Sequence, residues 1–145
     1  MIGFGTAISL FYKNYVNFEG RASRAEYWWP LLMQLIVYTA LIIAFVTLAG
    51  TEEFTADGDV DSVSLAIIFA GILFWLVNLL PGISVKVRRF HDLDQTGWLV
   101  LVFWAVNIFV PLVEFGRMIW FAFPGTTGPN QYGPDPDEDH AEVFG

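Results

Sequence analysis

Charged side chains divide this sequence into wet and dry stretches. Residues 28–50, WWPLLMQLIVYTALIIAFVTLAG, contain no Asp, Glu, Lys or Arg, and neither do residues 63–85, VSLAIIFAGILFWLVNLLPGISV. A third run, GWLVLVFWAVNIFVPLVEFGRMIWFAF over 97–123, stays uncharged until Glu114. An α-helix rises about 1.5 Å per residue, so about twenty residues cross a hydrocarbon core of about 30 Å. A soluble helix of that length keeps one face for water and therefore carries charges. The pattern predicts an all-α membrane protein with three transmembrane helices, at about 28–50, 63–85 and 97–120.

The third span is the least regular. Read as one long helix, kinked at Pro111, it leaves Arg117 snorkelling at the far interface beside an aromatic belt of Trp120, Phe121 and Phe123. Read as a hairpin broken at Pro111, each arm has about a dozen residues, too few to cross, and the hairpin must be re-entrant. The single span is preferred, which puts the C-terminal tail outside. Upstream, TAISLFYKNYVNF sets Ile8, Phe11, Tyr12 and Tyr15 at helical spacing, predicting a short interfacial helix. Residues 1–136 then form a single membrane domain, and 137–145 an acidic tail whose composition predicts disorder.

Charge supplies the orientation. Lys13, Arg21 and Arg24 precede the first span, and Lys86, Arg88 and Arg89 follow the second. The loop between those spans, TEEFTADGDVDS, has five acids and no Lys or Arg. Cationic loops stay in the cytoplasm, so the N-terminus and residues 86–96 face inward from a prokaryotic plasma (inner) membrane. The first span lacks a basic leader and a cleavage site, and is expected to stay uncleaved. A net charge of −8 fits translocated loops that tolerate acids, and equally a high-salt source in which carboxylates keep the surface hydrated. No nucleic-acid partner is expected. The absence of cysteine removes disulfide and thiolate chemistry.

The chemistry-bearing residues collect at the cytoplasmic face, in a collar of Arg21, Arg24, Glu26, Arg88, Arg89, His91, Asp92 and Asp94. Ser23 and Glu26 have the spacing of a helix-capping box. Asp92-Leu-Asp-Gln95 matches a capping pattern for the third span, with Asp94 or Thr96 as alternative caps. Asp92 and Asp94 are also placed to pair with Arg21 or Arg24, while basic residues at this level attract anionic headgroups by about 1 kcal/mol each. His91 beside Asp92 is a conceivable acid–base pair, but no nucleophile, phosphate loop or oxyanion motif accompanies it. The other histidine, His140, lies in the tail, and a zinc site needs three or four ligands. No catalytic, metal or cofactor-binding residue is therefore assigned. Within the spans the polar groups are Gln34, Asn78 and Asn107, and Gln34 is expected to hydrogen-bond Asn78 because an amide facing lipid is costly.

Three segments together, NFEGRASRAEYWW, RRFHDLDQTGW and GTTGPNQYGPDP, resemble the signature of small prokaryotic membrane proteins catalogued as domain of unknown function 805. The resemblance runs from about Tyr12 to Pro136. It maps the first motif to Arg21, Arg24, Glu26, Tyr27 and Trp28, and the second to Arg88, Arg89, His91 and Asp92. The third maps to Gly125, Gly128, Asn130, Tyr132, Gly133 and Pro136. It implies an integral membrane protein and no established biochemistry. The residues themselves point to a non-catalytic scaffold or accessory protein whose collar meets lipid headgroups, a second copy or a membrane-protein partner. The alternative is solute or ion transport by an oligomer; an enzyme acting on lipid headgroups comes third. A tail motif that worked with the two cytoplasmic motifs would need their side of the membrane, which favours the hairpin.

Overall fold

A computed structural model describes residues 2–48 and 62–138. The acidic loop up to Asp61, the last residues of the acidic tail and His140 lie outside the described residues. Among the described residues five helices follow in order: α1 (Phe4–Lys13), α2 (Arg24–Leu48), α3 (Ser62–Asp92), α4 (Leu99–Phe109) and α5 (Val113–Ala122). No strand occurs among the described residues.

α2 and α3, at 25 and 31 residues, are both long and apolar enough to cross a membrane. Their outward residues are large and greasy: Leu35, Ile42 and Val46 on α2, and Phe69, Leu73 and Trp75 on α3, are all exposed. Such a surface would aggregate in water and suits lipid tails.

The third apolar run is not a continuous helix. Pro111 has no N–H to give and disfavours helical geometry in the residue before it. Val110 accordingly leaves the helical region, at φ −133° and ψ 81°. The result is two helices of 11 and 10 residues, about 16 and 15 Å long, half of what a crossing needs. They pack on each other, and both outer ends return to the last turns of α3. Gly97, just before α4, lies so close to α3 that a Cβ there would sit 2.6 Å from Val87 Cγ1 and 3.0 Å from His91 Nε2. At the other end, the Phe121 carbonyl of α5 accepts from Arg89. The expected single span over 97–120 is therefore corrected to a helical hairpin.

The chain divides into two compact units, one formed by the residues up to Pro30 together with those from Leu80 onward, the other Leu31–Leu79. In the second, Tyr38 and Phe74 meet edge to face at 5.4 Å. Asn78 donates its side-chain amide to the Phe74 carbonyl one turn back at 2.8 Å, and Gln34, its expected partner, is half-buried.

In the first unit, α1 packs on protein. Ile2, Ala7 and Ala25 form a small core with Leu10 and Trp29, because two alanines allow close approach of α1 to the start of α2. Ala7 and Phe11 are the buried positions of α1, whereas Ile8, Tyr12 and Tyr15 of the expected face are only half-buried. The Ser84 hydroxyl of α3 donates to the Asn14 carbonyl at 2.8 Å, and also to that of Asn17, fastening the end of α1. Phe90 anchors a second core, with Phe121 at 4.7 Å and Trp120 and Phe103 each at 5.7 Å. The expected belt of Trp120 and Phe121 is thus partly interior: Phe121 is fully buried.

Candidate functional site: a buried arginine hub

Asp92 is the last residue of α3, and two arginines converge on its carboxylate. Arg21 Nε donates to Asp92 Oδ1 at 2.9 Å, and Arg89 Nη1, one turn back on α3, bonds Asp92 Oδ2. All three residues are buried, Arg89 completely. A guanidinium has five N–H groups, and the remaining ones point at main-chain carbonyls. Arg21 Nη1 donates to Gly128 at 2.6 Å, and its Nη2 to Thr126. Arg89 Nε and Nη2 both donate to Phe121, at 3.2 and 3.1 Å, Nη2 reaches Phe123, and Nη1 reaches Ala22 at 3.3 Å. The two arginines thus hold the segment before α2 and the chain after α5 against the end of α3.

The tail also caps α3. The last carbonyls of a helix have no partners inside it. Here the Thr126 amide donates to the Asp92 carbonyl and the Asn130 side-chain amide to that of His91, each at 2.9 Å. Gly125 approaches so closely that a Cβ would fall 2.0 Å from Asp92 Oδ2; no residue but glycine fits there without displacing the carboxylate.

A second buried pair lies beside the hub. Arg88 Nη1 donates to Glu26 Oε2 at 3.0 Å. The other Glu26 oxygen accepts from the Ser23 amide at 3.1 Å, while the Glu26 amide donates to Ser23 Oγ at 3.3 Å. This is the capping box read from the sequence, extended by an arginine. Arg24, in the first turn of α2, is half-buried and within electrostatic reach of Arg89.

Three expectations are corrected, two in the collar and one at Arg117. Asp92–Gln95 does not cap the next helix; it ends α3. Asp94 adopts φ 56°, its amide donates to His91 at 3.0 Å, and Gln95 donates to Phe90 at 2.9 Å. That is a Schellman turn, and aspartate is among the few residues that accept its left-handed position. Asp94 consequently bonds Gln131 of the tail, at 3.1 Å, and no arginine among the described residues. Thr96 does serve the following turn, accepting from the Trp98 amide at 3.4 Å. Arg117, expected to snorkel, is buried and bonded to Glu114 three residues back. The tail motif itself lies on the collar, bonded to Arg21 and to the Asp92 carbonyl.

His91 sits at the rim. Its ring stacks on Tyr132 with centroids 3.9 Å apart and planes 2° from parallel. Nδ1 is 3.0 Å from the Gly20 carbonyl; a carbonyl only accepts, so Nδ1 carries a proton, and in the neutral ring Nε2 keeps a lone pair. His91 lines a cleft of about 620 Å³ whose other walls include Phe18, Val87, Trp98, Leu101 and Tyr132. No group of three or more potential metal ligands occurs among the described residues. Of the intramembrane candidates, Asn107 keeps its side-chain carbonyl buried without a hydrogen-bond partner among the described residues. In the tail motif, the Gly128 amide donates to Asp135 at 3.2 Å, Asn130 and Gly133 exchange backbone hydrogen bonds, and Pro136 is buried.

The three motifs held together by this hub lie within residues 15–134, or just beyond them at Pro136, and a family model described as "Protein of unknown function (DUF805)" matches 15–134. The chain belongs to the DUF805 family. It is 34% identical over 125 residues to "Inner membrane protein YhaI" of Escherichia coli K12, covering 86% of this chain and 89% of that one. It is equally similar to "Inner membrane protein YhaH" of the same organism, 34% over 125 residues, 86% and 90% covered. "Uncharacterized protein YiiR" of E. coli K12 is 26% identical over 140 residues. No solved structure matches the chain. With its two membrane-length helices, this DUF805 chain is a membrane protein, and its relatives support a prokaryotic inner-membrane location.

Proposed function

We propose that this DUF805 chain is a non-catalytic membrane scaffold, in which the signature residues fasten the N- and C-terminal segments to the end of α3. One observation carries this reading: the donors of Arg21 and Arg89 are committed to Asp92 and to five main-chain carbonyls. Groups so committed position a surface; they do not turn over a substrate. As a scaffold, the chain should leave mildly solubilised membranes in an assembly larger than one chain on blue-native electrophoresis. Migration as a single chain, even after cross-linking in the membrane, would count against it.

The topology that goes with this reading has the N-terminus, the hub and the tail in the cytoplasm. The basic residues set the side, and the tail follows because it is bonded to them. α4 and α5 then form a re-entrant hairpin whose tip, at Val110–Leu112, does not reach the far side. Thr127 is exposed and the chain has no cysteine, so Thr127→Cys reports cleanly. An impermeant maleimide should label it only after lysis; labelling in intact cells would reverse the assignment.

A further inference from the structure

Away from the Asp92 hub, one polar cluster holds more hydrogen-bond donors than acceptors. Arg117 of α5 is 3% exposed. Its Nε donates to Glu114 Oε2 at 3.0 Å and its Nη2 bonds the other oxygen, but Nη1 has no partner among the described residues. Tyr27 of α2, also 3% exposed, leaves its hydroxyl equally unpartnered. The Arg117 guanidinium carbon lies 5.8 Å from the Tyr27 ring centre; the guanidinium is within reach of the hydroxyl oxygen, but no hydrogen bond of normal geometry joins them, and the Tyr27 O–H is left without an acceptor. Lys86 of α3 is half-buried and within electrostatic reach of both Arg117 and Glu114. Two cations, Lys86 and Arg117, against one carboxylate, Glu114, leave the cluster at +1.

Buried donors without acceptors are costly, and charged ones most of all. A net positive pocket with two such donors matches an anion rich in oxygen, for which guanidinium and ammonium groups are the usual receptors. Its position narrows the choice. Lys86 directly follows the uncharged run 63–85 and stands about 9 Å along α3 from Asp92. Glu114 is 39% exposed, so the cluster opens outward there. Beside that opening, α5 presents Phe115 and Ile119, 62% and 65% exposed, an apolar surface where acyl chains can lie.

We propose that Tyr27, Lys86 and Arg117 bind a phosphate group, either the phosphodiester of an anionic membrane lipid or free inorganic phosphate. The site is independent of the scaffold reading, since none of its residues belongs to the Asp92 hub. The test is native mass spectrometry of the detergent-solubilised full chain titrated with phosphatidylglycerol, with diacylglycerol of the same acyl chains, and with inorganic phosphate as competitor. One phosphatidylglycerol should be retained per chain, and diacylglycerol should not. Lys86→Gln should weaken retention roughly fivefold, the equivalent of about 1 kcal/mol for one cation, and Tyr27→Phe by a similar factor for one lost hydrogen bond. Tyr27→Phe removes a hydroxyl that makes no hydrogen bond of normal geometry and leaves Arg117 paired with Glu114, so its melting temperature should stay close to that of the wild type. Displacement of the lipid by millimolar inorganic phosphate, with the same residue dependence, would make free phosphate the ligand. Retention of phosphatidylglycerol and diacylglycerol alike, or retention unchanged in both variants, overturns the site.

Discussion

Asp92→Ala should be among the most damaging single substitutions in this chain, lowering stability by about 3–5 kcal/mol. That is the range found when one partner of a buried ion pair is removed and the other is left uncompensated. Here two guanidiniums would be left, those of Arg21 and Arg89, both buried. The main-chain carbonyls around them carry partial charge only and do not replace a carboxylate. The measurement is equilibrium unfolding in a fixed detergent, alongside limited proteolysis of the tail. Asp92→Asn, which keeps the oxygen that accepts from Arg21 and loses the charge, should fall between wild type and alanine. A loss below about 1 kcal/mol for Asp92→Ala would mean that the hub does not hold the fold together.

Gly125→Ala tests the same junction from the other chain segment. The added methyl would stand 2.0 Å from Asp92 Oδ2 and 2.5 Å from Cγ. Ordinary overpacking in a core costs about 1–3 kcal/mol because neighbours shift to relieve it. Asp92 cannot shift cheaply, being held on both oxygens by Arg21 and Arg89. The easier response is for the tail to leave, breaking the bonds to Thr126, Gly128 and Asn130. Gly125→Ala should therefore expose the segment after Phe123 to protease while α2 and α3 stay intact, a pattern visible as one discrete cleavage product. An unchanged proteolysis pattern would place the tail contact elsewhere.

Local interactions were the ones readable in advance. The Ser23–Glu26 box is three residues wide, and its two hydrogen bonds form as the spacing implies. The two long helices follow from uncharged runs that no soluble fold would leave exposed. The third run misled because its length sufficed for one span, while its true form depends on bonds between residues as far apart as Arg21 and Gly128, 107 positions along the chain. Pro111 was the available clue. For Arg117, the signal was Glu114 three residues earlier: two opposite charges at helical spacing in an otherwise dry stretch mark an ion pair better than a lone interfacial cation. Asp94 was ambiguous for a different reason, since Asp suits both a helix start and a left-handed helix end. That Asp92 would pair with Arg21 or Arg24 was legible from charge alone, and Arg21 is the partner. The pair's burial under the tail was not, because main-chain carbonyls leave no mark in a sequence.

That last point bears on how such a protein can drift. Arg21 and Arg89 grip the tail through the carbonyls of Phe121, Phe123, Thr126 and Gly128, atoms that every amino acid possesses. Side chains between the glycines can change without altering what the arginines recognise, provided the backbone keeps its path. Selection then falls on the shape of the strap rather than its lettering, so that two relatives can share the junction while spelling it differently.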